Sequence, residues 1–368
     1  MKDRTIDDRT AHDRTTHDRS THDRPTHDRP THDRPTHDRS AHDRPEPGPS
    51  ARDRVDHVTE VFVRHRSLLF TVAYELLGSA ADAEDALQET WLRWIAVDPA
   101  RVRDPRAYLV RIATRQALGH LRALGRRKEA YVGPWLPEPL LTTPDVAEDV
   151  ELAESVSMAM LLVLETLAPT ERAVFVLREV FGLGYEEIAG TVGKNPAAVR
   201  QIAHRARAHV AARRPRGAAS AEENRRTVEA FRRAVETGDL QDLLAVLAPG
   251  VVLLTDGGGV VRAALAPVTG AERVARVLGR LAGAMSLRPA RINGDPALTV
   301  HRADAPDTVD TVLALRVENG LVTGLYAVRN PDKLSRLHRE TPLSRRADRD
   351  PLERAVPAAA GRRAPGPT

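Results

Sequence analysis

Residues 167–210, LAPTERAVFVLREVFGLGYEEIAGTVGKNPAAVRQIAHRARAHV, leave few ways to fold, because three apolar stripes of helical period are separated by two glycine breaks. Ala173, Val174, Val176, Leu177 and Val180 form the first stripe, Ile188, Ala189 and Val192 the second, and Val199, Ile202 and Ala206 the third. Gly182 and Gly184 break the first junction and Gly193 the second, while Asn195 and Pro196 supply an N-cap and a first-turn proline for the last helix. The spacing predicts three short helices around one core, a helix-turn-helix. The free face of the third helix carries Arg200, Gln201, His204, Arg205 and Arg207. Arginine and glutamine address base edges in the major groove and further arginines neutralise phosphates, so this face reads as a recognition helix. A merely solvated basic face is the competing reading.

At 368 residues the chain is long enough for two or three domains, each with its own core. Its formal charge of +4 and pI near 9.6 permit a polyanionic partner without demanding one. The absence of cysteine excludes disulfides and thiolate metal sites and fits a reducing compartment. The N-terminus lacks an apolar signal core and no run reaches transmembrane length, so a soluble cytoplasmic protein without a membrane partner is expected.

Residues 1–54 repeat a five-residue unit, THDRP with Ser and Ala variants, and are expected to form a disordered tail because they offer almost nothing apolar to bury. The repeated histidines, His12 to His42, come without preformed geometry, so no metal site is expected. From Val55 to Arg127 the pattern is helical. Val58, Val61, Phe62, His65, Leu69, Val72, Ala73 and Leu76 form one stripe, ended by Gly78, and Ser79 caps the next helix. That helix sets Asp82, Glu84, Asp85, Gln88 and Glu89 against Ala83, Ala86, Leu87, Trp91 and Leu92. Asp104 and Pro105 open a third, with Tyr108, Leu109, Ile112, Ala113 and Leu118 inward and Arg106, Arg111, Arg115, Gln116, His120, Arg122, Arg126 and Arg127 outward. An acidic amphipathic helix beside a basic one fits two partners, a basic protein surface and a nucleic acid; a charged surface with internal salt bridges fits the same residues.

The blocks DAEDALQETWLRWI at 82–95 and DPRAYLVRIATRQALGHLR at 104–122, followed by the helix-turn-helix, resemble regions 2 and 4 of extracytoplasmic-function bacterial sigma factors over about residues 55–212. The resemblance implies a region 2 domain at 55–127 and a region 4 domain at 151–214. It implies that Asp82, Asp85, Gln88, Glu89 and Trp91 dock on core RNA polymerase, and that Arg106, Tyr108, Arg111, Arg115 and Gln116 read and melt the −10 element. Arg200, Gln201, His204, Arg205 and Arg207 then read the −35 element. The implied partners are core polymerase, through the clamp helices of the beta-prime subunit and the flap of the beta subunit, and double-stranded and melted promoter DNA. Melting needs surfaces on which unpaired bases stack, and Tyr108 and Trp94 are the aromatic candidates.

Between the blocks, Pro134, Pro137 and Pro139 predict a linker over 128–150 with one aromatic, Trp135. Its WLPEP at 135–139 resembles the linker of those sigma factors that carry a SnoaL-like domain after region 4. Past the arginine-rich breaker at 213–217, Val228, Phe231 and Val235, then Leu240, Leu243, Leu244 and Leu247, read as two helices. Apolar runs at 251–254, 298–300, 309–317 and 321–328 read as strands, with Glu318-Asn319-Gly320 as a hairpin turn and a helix at about 270–284 intervening. That order describes the cone-shaped α+β barrel of SnoaL-like proteins. The expected fold is multidomain: two all-α helical sigma domains, the second a helix-turn-helix, then an α+β barrel at 222–334 and a disordered tail at 335–368.

DGGG at 256–259 and NPDKL at 330–334 carry the barrel resemblance, although Val260 stands where the family often has lysine. By resemblance, the regulatory residues are Trp135, Leu136 and Pro137, then Asp256, Gly257 and Gly258, then Asn330, Pro331, Asp332, Lys333 and Leu334. Relatives of this barrel include isomerases and cyclases with a pocket carboxylate as general base, for which Asp256 is the candidate. An aspartate before three glycines is more simply a turn residue, and neither catalysis nor a cofactor is expected. The expected function is a sigma factor regulated by its own barrel. The alternative is a stand-alone helix-turn-helix regulator with a ligand-sensing C-terminal domain, and a small ligand of that domain stays open in both.

Overall fold

The computed structural model describes residues 51–213, 220–280, 283 and 285–347. The repeat expected to be disordered at 1–50, most of the breaker at 213–217, and the end of the expected tail, 348–368, lie outside the described residues. Helix α1 spans Ala51–Leu77, α2 Ala80–Trp94 and α3 Pro105–Glu129, so residues 51–54 belong to a helix and not to the tail. Gly78 ends α1 at a φ of 65°, a backbone state that a side chain would strain. Ser79 accepts the Asp82 amide and Asp104 the Ala107 amide, so both predicted caps open their helices.

The second helical block runs α4 Pro144–Glu148, α5 Val150–Val156, α6 Met158–Glu165, α7 Pro169–Phe175, α8 Tyr185–Val192 and α9 Pro196–Arg213. A π-helical turn, Val176–Val180, continues α7. Gly193 closes α8 at a φ of 68°, and the Asn195 side chain accepts the Ala198 amide at 2.8 Å to open α9. The two helical blocks were expected as separate domains, yet they share one core. Leu69, Leu76, Leu109 and Ala113 from α1 and α3 join Leu161, Val174, Leu177, Val199 and Val210 from α6 to α9. Apolar faces without other cover bury each other.

The barrel follows as α10 Ala221–Thr237, α11 Leu240–Val246, β1 Leu247–Asp256, β2 Val268–Thr269, α12 Ala271–Leu278, β3 Met285–Ile292, β4 Asp295–Arg302, β5 Ala305–Glu318, β6 Leu321–Val328 and α13 Pro331–Leu334. The helix expected to reach 284 stops at Leu278. Strand β3 was not foreseen, because its alternation runs only from Met285 to Arg288 before Pro289 breaks it. The sheet order is β2-β1-β6-β5-β4-β3, with β1 and β6 parallel and the other pairs antiparallel.

Strand alternation sorts side chains onto two faces. Leu313, Leu315, Leu325 and Ala327 pack with Val228, Phe231, Leu243 and Val274 inside the cone. Val312, Ala314, Tyr326 and Val328 face the other way, onto Leu136, Met158 and Leu337. The linker, α6 and the segment around Leu337 therefore cover the sheet's second face.

The linker and the first part of the tail depart furthest from expectation. The linker is neither loose nor wholly irregular: α3 runs into it, α4 lies within it, and Leu136 to Leu140 are buried. Residues 335–347 pack across all three blocks. Leu337 lies against the sheet, the Thr341 amide donates to the Leu141 carbonyl at 2.7 Å, the Ser344 amide donates to Thr71 Oγ1 at 2.9 Å, and Leu343 enters the helical core. Arg345 binds Asp149 and Glu151.

Candidate nucleic-acid interface and interdomain lock

On α9, Val199, Ala203, Ala206 and Val210 are buried, which leaves Arg200, Gln201, His204, Arg205 and Arg207 all exposed on the remaining face. Their ion pairs are loose: Arg205 with Glu171 at 3.6 Å, Arg207 with Glu179 at 3.7 Å and Arg200 with Glu186 at 3.9 Å. Exposed pairs of this kind contribute about 0–1 kcal/mol, so a phosphate or a base edge displaces them easily.

The acidic helix divides. Asp85, Gln88 and Glu89 are exposed, and so is Leu92 at 67 %, which adds an apolar anchor to that face. Asp82 is buried and bound by the Arg127 guanidinium at 2.5 Å, and Trp91 is half-buried edge-on to Phe62, so neither sits freely on the expected docking face. Trp94 is fully buried, its indole N–H donating to the Val58 carbonyl at 2.9 Å, and is unavailable for base stacking.

Helix α3 divides likewise. Arg106, Tyr108 and Arg111 are half-buried, with the Arg111 guanidinium 4.9 Å over the Tyr108 ring. Gln116 is buried between Arg93 and Glu89 rather than outward. Arg115 reaches the second block, donating to the Thr191 carbonyl at 3.1 Å and the Gly190 carbonyl at 2.5 Å. Those carbonyls end α8, where the helix dipole is negative. Between the two blocks a cleft of about 380 Å³ is lined by Arg103, Tyr108 and Arg111 on one side and Glu186 and Glu187 on the other.

Of the expected regulatory residues, Trp135, Leu136, Asp256, Gly258, Asn330 and Lys333 meet in one network, whereas Pro331 and Asp332 are exposed. Asp256 is fully buried at the end of β1. Its Oδ2 accepts the Lys333 ammonium at 2.8 Å and the Leu136 amide at 2.9 Å; its Oδ1 accepts the Tyr131 hydroxyl and the Gly258 amide. Lys333 also donates to the Leu136 carbonyl at 2.5 Å and lies 3.5 Å from the Trp135 ring centre. Asn330 caps α13 and donates to the Tyr131 hydroxyl at 2.8 Å. A Cβ at Gly258 would approach the Asn330 amide to 2.5 Å, which explains the glycine. Four donors fill the lone-pair sites of the Asp256 carboxylate, so it holds the linker and has no free site to act as a base. Burial holds the Lys333 ammonium below its usual range, with the Asp256 charge opposing that shift.

The sequence reading missed three residues here. Glu138, inside WLPEP, points its Oε2 at the start of α2 and accepts the Ala80 amide at 2.8 Å. Tyr74 on α1 donates to the Glu138 carbonyl at 2.6 Å. Asn293, at the β3–β4 turn, is fully buried: its Oδ1 accepts the Leu140 amide at 2.9 Å, and its Nδ2 donates to the Tyr74 hydroxyl at 2.7 Å and the Val156 carbonyl at 2.8 Å. One barrel side chain thereby ties the linker to both helical blocks. The Asn293-Gly294 dipeptide is a readable hairpin signal, but its socket is made of distant residues.

Comparison with known proteins agrees with this geometry. The family Sigma-70 region 2 matches residues 61–127, and Sigma-70, region 4 matches residues 157–210. The ECF RNA polymerase sigma factor SigJ of Mycobacterium tuberculosis is 36 % identical over 290 residues, 73 % of this chain and 91 % of that protein. The probable ECF RNA polymerase sigma factor SigI of the same species is 34 % identical over 77 % of this chain and 97 % of its own length. The crystal structure of Mycobacterium tuberculosis extracytoplasmic function sigma factor SigJ superposes with a TM-score of 0.61 at 33 % identity, covering 76 % of this chain and 99 % of that one.

Proposed function

The chain belongs to the extracytoplasmic-function RNA polymerase sigma factors, and on that basis we propose that α2 docks on core polymerase, α3 engages the −10 element and α9 reads the −35 element. The observation that carries the reading is α9, a helix buried along one side that offers five polar and basic side chains on the other. On α2 the docking face is Asp85, Gln88, Glu89 and Leu92, with contacts to the beta-prime clamp helices; region 4 takes the beta flap. On α3, Arg106, Tyr108 and Arg111 remain candidates for the −10 element, whereas Arg115 serves it only after leaving α8. A stand-alone regulator would have no use for the region 2 block. The protein works in the cytoplasm, where polymerase is, and its barrel regulates without catalysing.

The arrangement described above is a closed state in this proposal. The −10 and −35 elements lie about 25 base pairs apart, roughly 85 Å along duplex DNA at 3.4 Å per pair. Arg115 on the −10 helix touches α8 beside the −35 helix, so the two readers cannot span that distance without separating. The barrel, seated on the linker by Asp256, Lys333 and Asn293, favours the closed state by a few kcal/mol of contact preference that polymerase binding offsets. The test is runoff transcription with purified core polymerase. Promoter-specific transcripts are expected only with this chain, and their absence on every promoter tried would overturn the assignment.

A further inference from the structure

We propose that the outer face of α12 binds the phosphate backbone of duplex DNA immediately upstream of the −35 element. Val274, Ala275 and Leu278 bolt α12 into the barrel core, which fixes the direction of its opposite face. That face carries Arg273, Arg276 and Arg280, all exposed, at a spacing of three and four residues. Gly279 keeps helical angles (φ −59°, ψ −20°), so Arg280 continues the same row. Among the described residues no carboxylate lies within ion-pair distance of the three guanidinium groups, and Glu272 on the same helix pairs with none of them.

The neighbouring helix shows the contrast. On α10, Arg225 and Arg226 pair with Glu222, and Arg232 pairs with Glu229 and Glu236. One barrel helix thus neutralises its arginines locally while α12 presents them. Arginine forks match phosphate oxygens in pairs, so the face suits a polyanion more than an isolated carboxylate.

The occupant follows from covalent connection and rests on the assignment of α9 to the −35 element. Six residues, and so seven Cα–Cα steps, separate Arg213, the end of α9, from Ser220, the cap of α10. Such a stretch spans at most about 25 Å, so the barrel stays beside the −35 duplex in any arrangement of the domains. Region 2 and polymerase occupy the downstream side in that assignment, which leaves the upstream duplex for α12.

The test measures holoenzyme affinity for promoter duplexes that end just upstream of the −35 element or extend a further two helical turns, across a salt series. Three phosphate contacts predict extra affinity on the long duplex that falls about 40-fold between 50 and 200 mM salt. Arg273→Ala/Arg276→Ala/Arg280→Ala should abolish that increment, leave short-duplex binding unchanged, and regain most of it when the three are lysine. Wild-type affinity and salt slope of the alanine variant on the long duplex would overturn the proposal. So would weaker association with core polymerase at unchanged DNA slope, which identifies an acidic protein surface as the partner. Failure of the −35 assignment has a separate signature, a short promoter duplex that binds no better than scrambled sequence, and it removes both readings.

Discussion

At the scale of single residues, the chain joins its domains through buried polar groups, of which Asp256, Lys333 and Asn293 are hydrogen-bonded across the junctions. The Lys333–Asp256 pair illustrates why such contacts enforce one arrangement: two charges out of water are tolerated only together. Lys333→Met should destabilise the closed protein by about 3–5 kcal/mol, because Asp256 is left charged without its cation. Adding Asp256→Leu should recover part of the loss, and chemical denaturation of the two variants measures the difference. Asn293→Ala leaves the Leu140 amide and the Val156 carbonyl without partners inside the protein, a loss of roughly 2–4 kcal/mol. The closed state bears that loss, so a fluorescence distance between labels on α3 and α9 should lengthen in this variant. An unchanged distance would mean that the barrel does not set the spacing.

At the scale of elements, the linker acts as a strand of contacts between layers. Glu138 caps α2 through the Ala80 amide, so the helix proposed to dock on polymerase is held at its start by the segment that the barrel grips. Asp85→Arg with Glu89→Arg should abolish holoenzyme assembly without unfolding the protein, since both side chains are exposed; co-purification with core polymerase is the measurement. Leu92→Ser should weaken the same association by about 1–2 kcal/mol, as expected for an apolar anchor at an interface. On α9, Arg200→Ala should lower discrimination at the −35 element by roughly 1–3 kcal/mol if the side chain reads a base. Equal weakening on all duplexes would assign Arg200 to phosphate.

At the scale of the molecule, Glu75 sits where the two helical blocks meet. It faces Ser155 of α5, which donates a hydrogen bond, and it senses Arg172 of α7 and Arg345 of the C-terminal strap. Burial pushes its carboxyl up to about 8, against the pull of both arginines. A raised carboxyl pKa favours the protonated folded form, so its contribution is full below about pH 4.5 and declines as pH rises through 8. Raising pH from 6 to 9 should therefore lower Tm, and Glu75→Gln should flatten that dependence. Truncation gives the complementary test. A chain ending after Leu334 loses Leu343 and Arg345 from the helical blocks and should transcribe more than full length, whereas one ending near Arg216 loses the whole barrel. Equal activity of both truncations and the full chain would make the barrel a passenger.

Sequence alone determined the elements whose signals are local: the caps Ser79, Asp104 and Asn195, the glycine stops at 78 and 193, and the stripes of α1, α3, α7 and α9. It also placed the exposed arginine face of α9, because a helix buried on one side has to expose the other. Gln116, Asp82 and Trp94 were misplaced outward because a polar or amphipathic side chain at a helix surface meets water or a neighbour according to what packs there, and only tertiary structure says which. The packing of 335–347, the shared core of the two helical blocks and the Asn293 socket were illegible for the same reason: each joins residues scores of positions apart. Hydrophobic period encodes which face is apolar, not what covers it.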